Sequence, residues 1–373
     1  MENKNRTYSN MSWFIYILIG VVGFFVVRFF FDELKIASAY EYEKLSIYVY
    51  YILILLYGFV TCGLVYNGGK LIFGLLCGYE LVYFNFYFIG IYKKNGKLKL
   101  CWGGKYEYVC KVCIAPKKEK VNVVLPLLGG TIATIFALAV TYLLIFLLNT
   151  SATDKFFFLV SSMLYVFMVF ISMVPFRMDT LNDGFTLVLL KNKQYRDVYL
   201  NNLKNLLVIN DTNKEFIYQD LEVVNNPINL EAQVYNYYYL LEKGNVVEAM
   251  ELMSKCYQYK SNVILEEHVN TITIAKTFDL CLKKNNEELK EFYFKADSTT
   301  KHLINEGKKL EGIKTALYVF TYIDEDKEGY AKVINDVNKV KQKYPYSRFV
   351  SIEENFIKDV IKDVQENKPE WNA

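Results

Sequence analysis

The chain has 373 residues, 53% of them hydrophobic and 17% aromatic, and its mean hydropathy of +0.12 is too high for an ordinary soluble protein. Charge divides it: residues 1–176 carry 16 Lys and Arg against 9 Asp and Glu, and residues 177–373 carry 27 against 31. Apolar residues gathered in one half of a long chain exclude a disordered protein, a coiled-coil rod, a disulfide-stapled secreted domain and a generally basic nucleic-acid binder.

A bilayer core about 30 Å thick needs roughly 20 apolar residues in helix. Four stretches meet that length, at about 11–31, 45–69, 121–148 and 156–176. Backbone groups in lipid have to bond within their own segment, so these are expected as helices. Residues 1–190 therefore read as a multi-pass membrane domain. Part of the third stretch, with Pro126 near its start, is expected to lie outside the hydrocarbon. The first stretch lacks a small-residue cleavage pattern and ends at Arg28 in a Phe cluster, as a retained signal-anchor would.

Lys and Arg beside the spans set the orientation, because basic loops stay in the cytoplasm. Between Lys93 and Lys120 stand nine lysines against Glu107 and Glu119, whereas the Asp32–Lys44 link has two lysines against four carboxylates. The first loop is thus inside, the second outside, and both termini cytoplasmic. The expected location is the cell membrane, with the bilayer as one partner. The basic loop also suits anionic lipid.

After the second span the chain stays helical through Lys70 to Gly78, a residue suited to a left-handed cap. Glu80–Tyr92 is rich in Tyr, Phe, Val and Ile, and Asn95-Gly96 favours a type I′ turn into Lys97–Trp102. These residues predict a β-hairpin over 80–102 on the cytoplasmic side. Cys110-x-x-Cys113 follows without a second Cys pair or a His, so it reads as two ordinary thiols and no metal or cofactor is assigned. Disulfides are not expected with the loops facing a reducing compartment.

Tyr66-Asn-Gly-Gly-Lys-Leu-Ile-Phe-Gly-Leu-Leu-Cys-Gly-Tyr79 resembles the helix of site-2-type intramembrane metalloproteases of bacterial type, where His-Glu-x-Gly-His precedes an apolar run, a Gly and strands. Cys113-Ile-Ala-Pro116 is similar to the Cys-x-x-Pro of some members. Gly129-Gly130 opens the third span, and Val174-Pro175 precedes Asp183-Gly184, which resembles the motif supplying the family's third zinc ligand. The resemblance covers about residues 10–190. It implies the family's membrane fold and an association with processing of membrane-bound regulators and secreted peptides.

At the decisive positions the residues differ. Zinc hydrolysis needs two imidazoles a helical turn apart, a carboxylate ligand and a Glu as general base. Here the two His positions are Tyr66 and Lys70, the Glu position is Asn67, and only Asp183 keeps its ligand type. An ammonium cannot ligate zinc and an amide cannot take a proton from water, so no catalytic residue is assigned. Tyr66 and Lys70 are i and i+4 on one helix face. One reading pairs Lys70 with Asp183 where the metal would sit, with Tyr66 and Asn67 hydrogen-bonding around them. The other lets Lys70 snorkel to the surface while Asp183 caps a helix starting at Gly184. Positions for contact with a partner are Gly78, Tyr83, Asn85, Tyr87, Cys113 and Pro116.

From Phe185 onward, amphipathic helices alternate with Asn-rich breaks, and residues 191–373 read as a cytoplasmic α-helical domain. Leu230–Leu241, the turn at Glu242–Asn245 and Val246–Cys256 resemble tetratricopeptide-type repeats. Lys309–Tyr322, Asp324–Asp326, Glu328–Lys343 and Tyr344-Pro345 suggest a second pair, with a generic helical bundle as the alternative. Net negative charge argues against nucleic acid, and a concave helical surface would suit a protein partner. His268 and His302 read as solvated helix residues.

The fold class is accordingly mostly α: four membrane helices with an inserted hairpin, followed by a helical, tetratricopeptide-like domain. The favoured function is a catalytically inactive site-2-protease-like protein that binds a peptide or membrane-embedded partner in regulation, maturation or self-protection. A working zinc metalloendopeptidase with an altered metal site, and a transport or immunity component of a peptide-export system, are the alternatives.

Overall fold

The computed structural model describes residues 44–371 except 103–109, 148–151, 176–181, 210, 212, 261–265, 297, 306–309 and 344–346. The expected span at 11–31 and the Tyr344-Pro345 pair lie outside the described residues. The fold is mostly helical, with one small four-stranded sheet. It divides into two compact units, one reaching to Arg196 and the other beginning at Asp197, the stretch from Ile91 being grouped with the second.

In the first unit, the second predicted span and the residues after it form one helix, α1 (Lys44–Leu76). It ends where Gly78 adopts φ 84°, a conformation open to glycine at little cost. The chain then enters β1 (Tyr79–Phe86), β2 (Ile89–Lys94), β3 (Lys97–Trp102) and β4 (Cys110–Pro116), in the order β3-β2-β1-β4. Asn95 and Gly96 have φ 47° and 78°, as a type I′ turn requires. The expected hairpin is therefore extended to four strands. β4 lies antiparallel to β1, Tyr83 opposite Cys113 and Asn85 opposite Lys111, with a register irregularity between Leu81 and Tyr83.

Two more apolar helices follow, α2 (Val124–Leu147) and α3 (Ala152–Met173). Asn122 Oδ1 caps α2 by accepting from the amides of Val124 at 2.9 Å and Leu125 at 3.0 Å. Pro126 falls in the first turn, where a missing N–H costs nothing. Two helical stretches, Ile52–Leu76 and Val124–Leu147, are long and apolar enough to cross a membrane, and Phe157–Met173 is a shorter apolar helix. A four-span count is thus not what these helices by themselves supply.

Close packing of α1 on α2 rests on missing side chains. A Cβ on Gly69 would lie 2.4 Å from Ala133 Cβ and 2.5 Å from the Gly129 carbonyl oxygen, and one on Gly130 would lie 2.7 Å from the Tyr66 ring. Where lipid removes the hydrophobic drive between helices, such small residues let backbones approach for van der Waals contact.

The second unit holds the remainder of α5 (Lys193–Ile209), then α6 (Pro227–Glu242), α7 (Val246–Tyr257), α8 (Glu266–Leu282), α9 (Asn286–Lys295), α10 (Ser298–Asn305), α11 (Leu310–Tyr322), α12 (Lys327–Lys343) and α13 (Ser347–Asn367). The first unit contributes α4 (Asp183–Leu189) just before α5. Three tight turns join α6–α7, α8–α9 and α11–α12 in one way. A residue in the left-handed region (Gly244, Lys284 or Glu325) closes each, and backbone amides bond back to the preceding helix, as Asn245 does to Leu240 at 2.9 Å. α11 is buried from Leu310 to Thr321, the signature of a central helix. His268, expected to be solvated, is buried with its ring edge on Tyr235 at 6.0 Å, because α8 turns that position inward; His302 is exposed.

Candidate functional site

Helix α1 carries Tyr66, Asn67 and Lys70 on adjacent turns, and α4 carries Asp183. The start of α4 is held tightly. Asn182 caps it by accepting from the Phe185 amide at 2.8 Å, while its own amide donates to the carbonyls of Ile171 at 2.8 Å and Val174 at 2.5 Å at the end of α3. Gly184 presses on the same helix end, since a Cβ there would lie 2.0 Å from the Met173 carbonyl oxygen. Asp183 is thus not the cap but the first residue of the helix, and it is 3% exposed.

Both carboxylate oxygens of Asp183 are engaged. Lys70 Nζ donates to Oδ1 at 2.6 Å and the Tyr66 hydroxyl donates to Oδ2. The ammonium also lies 5.0 Å from the Tyr66 ring centroid. Lys70 and Asp183 side chains are 22% and 4% exposed, so Lys70 reaches inward to the carboxylate and does not snorkel. A charged pair largely removed from water is held only when its donors and acceptors are matched, as these are.

Asn67 departs from the expected arrangement. Its Oδ1 accepts from the Val112 amide of β4 at 3.1 Å, and its Nδ2 donates to the Gly63 carbonyl at 3.0 Å and to Cys110 Sγ at 3.4 Å. The physical reason is geometric: one residue on from Tyr66, its side chain points about 100° around the helix, toward the sheet. There it caps an edge amide that would otherwise be unpaired. Cys110 faces this amide, and burial pushes its thiol above the usual range.

The other positions are spread over the sheet. Gly78 makes the helix-to-strand turn, and its carbonyl accepts from Lys117 at 3.0 Å. Tyr83 and Asn85 are buried on β1, an inner strand flanked by β2 and β4. An added strand therefore cannot pair with the β1 side of the predicted hairpin; the edges are β3 and β4. Tyr87 stands at φ 52° and donates to the Phe59 carbonyl at 3.1 Å. Cys113 is buried, and Pro116 lies opposite Tyr79. The cysteines of the described residues are free thiols.

Sequence reasoning did not find Asn182 or the fit of Gly130 against Tyr66. An Asn before Asp-Gly was the available cap signal. Among the described residues no group of three or more His, Cys, Asp or Glu comes together to hold a metal. The cluster ties α1 to α4 through one carboxylate whose two oxygens are both taken by donors, Lys70 and Tyr66.

No family model, curated protein or solved structure matches this chain.

Proposed function

We propose that this chain is a non-hydrolytic membrane protein of site-2-protease-like architecture, multi-pass with both termini cytoplasmic, that binds a peptide or membrane-embedded partner. The helical half, a tetratricopeptide-like array in this reading, holds a cytoplasmic protein. One observation carries the proposal: Lys70 Nζ donates to Asp183 Oδ1 at 2.6 Å where the resemblance would put a metal, and Tyr66 takes the other oxygen. An ammonium in that place supplies positive charge without Lewis acidity or an activated water.

The accessible edge for a partner is β3, whose Leu98 and Leu100 are 63% and 60% exposed. Strand addition at such an edge gives affinity through main-chain bonds, and the interleaved Lys97 and Lys99 discourage indiscriminate pairing. The test has two parts. Elemental mass spectrometry of the full chain, purified in detergent without chelators or metal-binding tags, is expected to find no stoichiometric zinc. A photo-crosslinking amino acid at Leu98 or Leu100 is expected to capture a discrete partner in the native membrane. One zinc per chain, lost in Asp183→Ala, would instead establish the altered-site protease.

A further inference from the structure

Residues 216–224 form neither helix nor strand, yet they run extended over α5 and α6, and from Ile217 onward with a strict pattern. Tyr218, Asp220, Glu222 and Val224 are exposed, while the odd-numbered residues between them are buried or half-buried. This period of two is that of a β-strand.

The inner side is read by carboxamides. Asn205 of α5 accepts from the Ile217 amide at 2.8 Å and donates to the Ile217 carbonyl at 3.1 Å. Asn236 of α6 does the same for Gln219, at 2.8 and 2.7 Å. Gln233 donates to the Leu221 carbonyl at 2.9 Å. Asn229 donates to the Glu222 carbonyl at 3.0 Å and accepts from the Val224 amide at 3.1 Å. A carboxamide carries a donor and an acceptor side by side, so it can satisfy both main-chain groups of one residue. Asn229, Gln233 and Asn236 are spaced i, i+4, i+7, on one face of α6, and the five groups of the segment that they bind are all main-chain groups, of Gln219, Leu221, Glu222 and Val224.

At the N-terminal end an aromatic anchor completes the site. Phe216 is 3% exposed, stacked 5.9 Å from Phe349 and under the Arg348 guanidinium at 4.9 Å. Arg348, which covers Phe216, and Glu215, which precedes it, also line a neighbouring cleft of about 690 Å³ with Tyr239 and Lys243.

We infer that α5 and α6 form a binding site for the main chain of an extended peptide bearing one aromatic anchor, and that residues 216–224 occupy this site in cis as a displaceable internal ligand. The chemistry fits: recognition falls chiefly on backbone groups, which every peptide offers, with the Gln219 side-chain amide donating to Asn202 Oδ1 at 2.9 Å and, of the outward side chains, the Tyr218 ring lying 5.2 Å from Tyr239. This inference rests on the reading of the helical half as the holder of a protein partner. Capture of a partner at β3 can survive its failure, so the two are told apart.

The test uses the full chain in detergent. Residues 216–224 are replaced by a Gly/Ser linker of equal length, and a fluorescein-labelled synthetic peptide of residues 214–226 is added. Fluorescence anisotropy is expected to show saturable binding at least tenfold tighter than to the unmodified chain, whose site is filled. Changing the outward Asp220, Glu222 and Val224 of the peptide to Ser is expected to alter affinity by less than threefold, and Asn236→Leu in the linker variant to abolish binding. No saturable binding to a linker variant of unchanged helical circular dichroism would overturn the inference, as would loss of affinity in the Ser peptide. Hydrogen exchange of the unmodified chain decides independently of that variant's folding. The amides of Ile217, Gln219 and Val224 are expected to exchange at least tenfold faster than those of α11, through local opening. Exchange at the α11 rate would make the segment a fixed strut and refute its displacement.

Discussion

Lys70 Nζ donates to Asp183 Oδ1 at 2.6 Å across 113 residues of sequence. The contact joins α1, a candidate membrane helix, to the first turn of α4, and it is the only ion pair between these two elements among the described residues. Tyr66, one turn before Lys70, donates to the second oxygen. The three side chains form one electrostatic unit, because each satisfies a charge or donor that the others would leave stranded.

Removing one member therefore costs more than removing the pair. Lys70→Met with Asp183 retained leaves a carboxylate 4% exposed without its cation, a loss on the order of 3 kcal/mol. The double variant Lys70→Met, Asp183→Asn is expected to recover at least about 1 kcal/mol of that. Thermal unfolding of the four chains in one detergent measures the cycle; purely additive losses would show that the pair is not coupled.

The α1–α2 contact predicts a contrast between neighbouring glycines. Gly69→Ala places a methyl 2.4 Å from Ala133 Cβ and should destabilise by about 1–3 kcal/mol as the helices separate. Gly68→Ala meets nothing within 4 Å and should be neutral or slightly stabilising, since alanine is the better helix former. Melting temperatures in detergent give the comparison, and equal effects at the two positions would contradict the packing.

In the helical unit, Lys314 and Glu353 form an ion pair with both side chains 1% exposed. Burial pushes the Glu353 carboxyl from 4.5 up to about 7, Lys314 opposing and Glu311 adding to the shift. Between those values the folded chain keeps a proton that the unfolded chain has lost, so stability falls as pH rises from about 4.5 to about 7 and then levels. The full effect is on the order of 3 kcal/mol. Glu353→Gln should flatten this part of the profile, measured by circular-dichroism melts across that range; a wild-type midpoint that rises with pH would be inconsistent with it.

Arg348 binds in several directions at once. Its Nη2 donates to Glu242 Oε2 at 2.7 Å and its Nη1 to the Asp211 carbonyl at 3.1 Å, with the guanidinium plane over Phe216. A lysine keeps the charge but neither the fork nor the stacking. Arg348→Lys is expected to cost about 2 kcal/mol and to raise amide exchange selectively at residues 213–217, read by mass spectrometry. Unchanged exchange there would show that the clamp is dispensable.

Much of the fold was written locally. Apolar length marked α1 and α2, and Asn95-Gly96 marked the β2–β3 turn through its need for positive φ. Glu242–Asn245 marked the α6–α7 turn, where Gly244 is the residue that closes it. The matching turn at Lys284 carried no such mark, because a lysine enters the left-handed region only when surrounding contacts hold it there. The buried position of His268 was hidden for a related reason: a single polar residue on a helix does not announce which face the neighbouring helices will cover.

The sequence by itself determined the two-part character of the chain and the placing of Tyr66, Asn67 and Lys70 on consecutive turns of one apolar helix. It also determined the pairing chemistry open to Lys70 and Asp183, because periodicity and charge are properties of neighbouring residues. Only the tertiary structure decided that Lys70 turns inward and not to the surface, that Asn182 and not Asp183 caps α4, and that Asn67 serves the edge of β4. It alone lined up Asn205, Asn229, Gln233 and Asn236 along one extended segment. Those outcomes depend on which distant groups arrive within hydrogen-bonding distance, and a buried polar atom takes whatever partner the packed backbone brings to it.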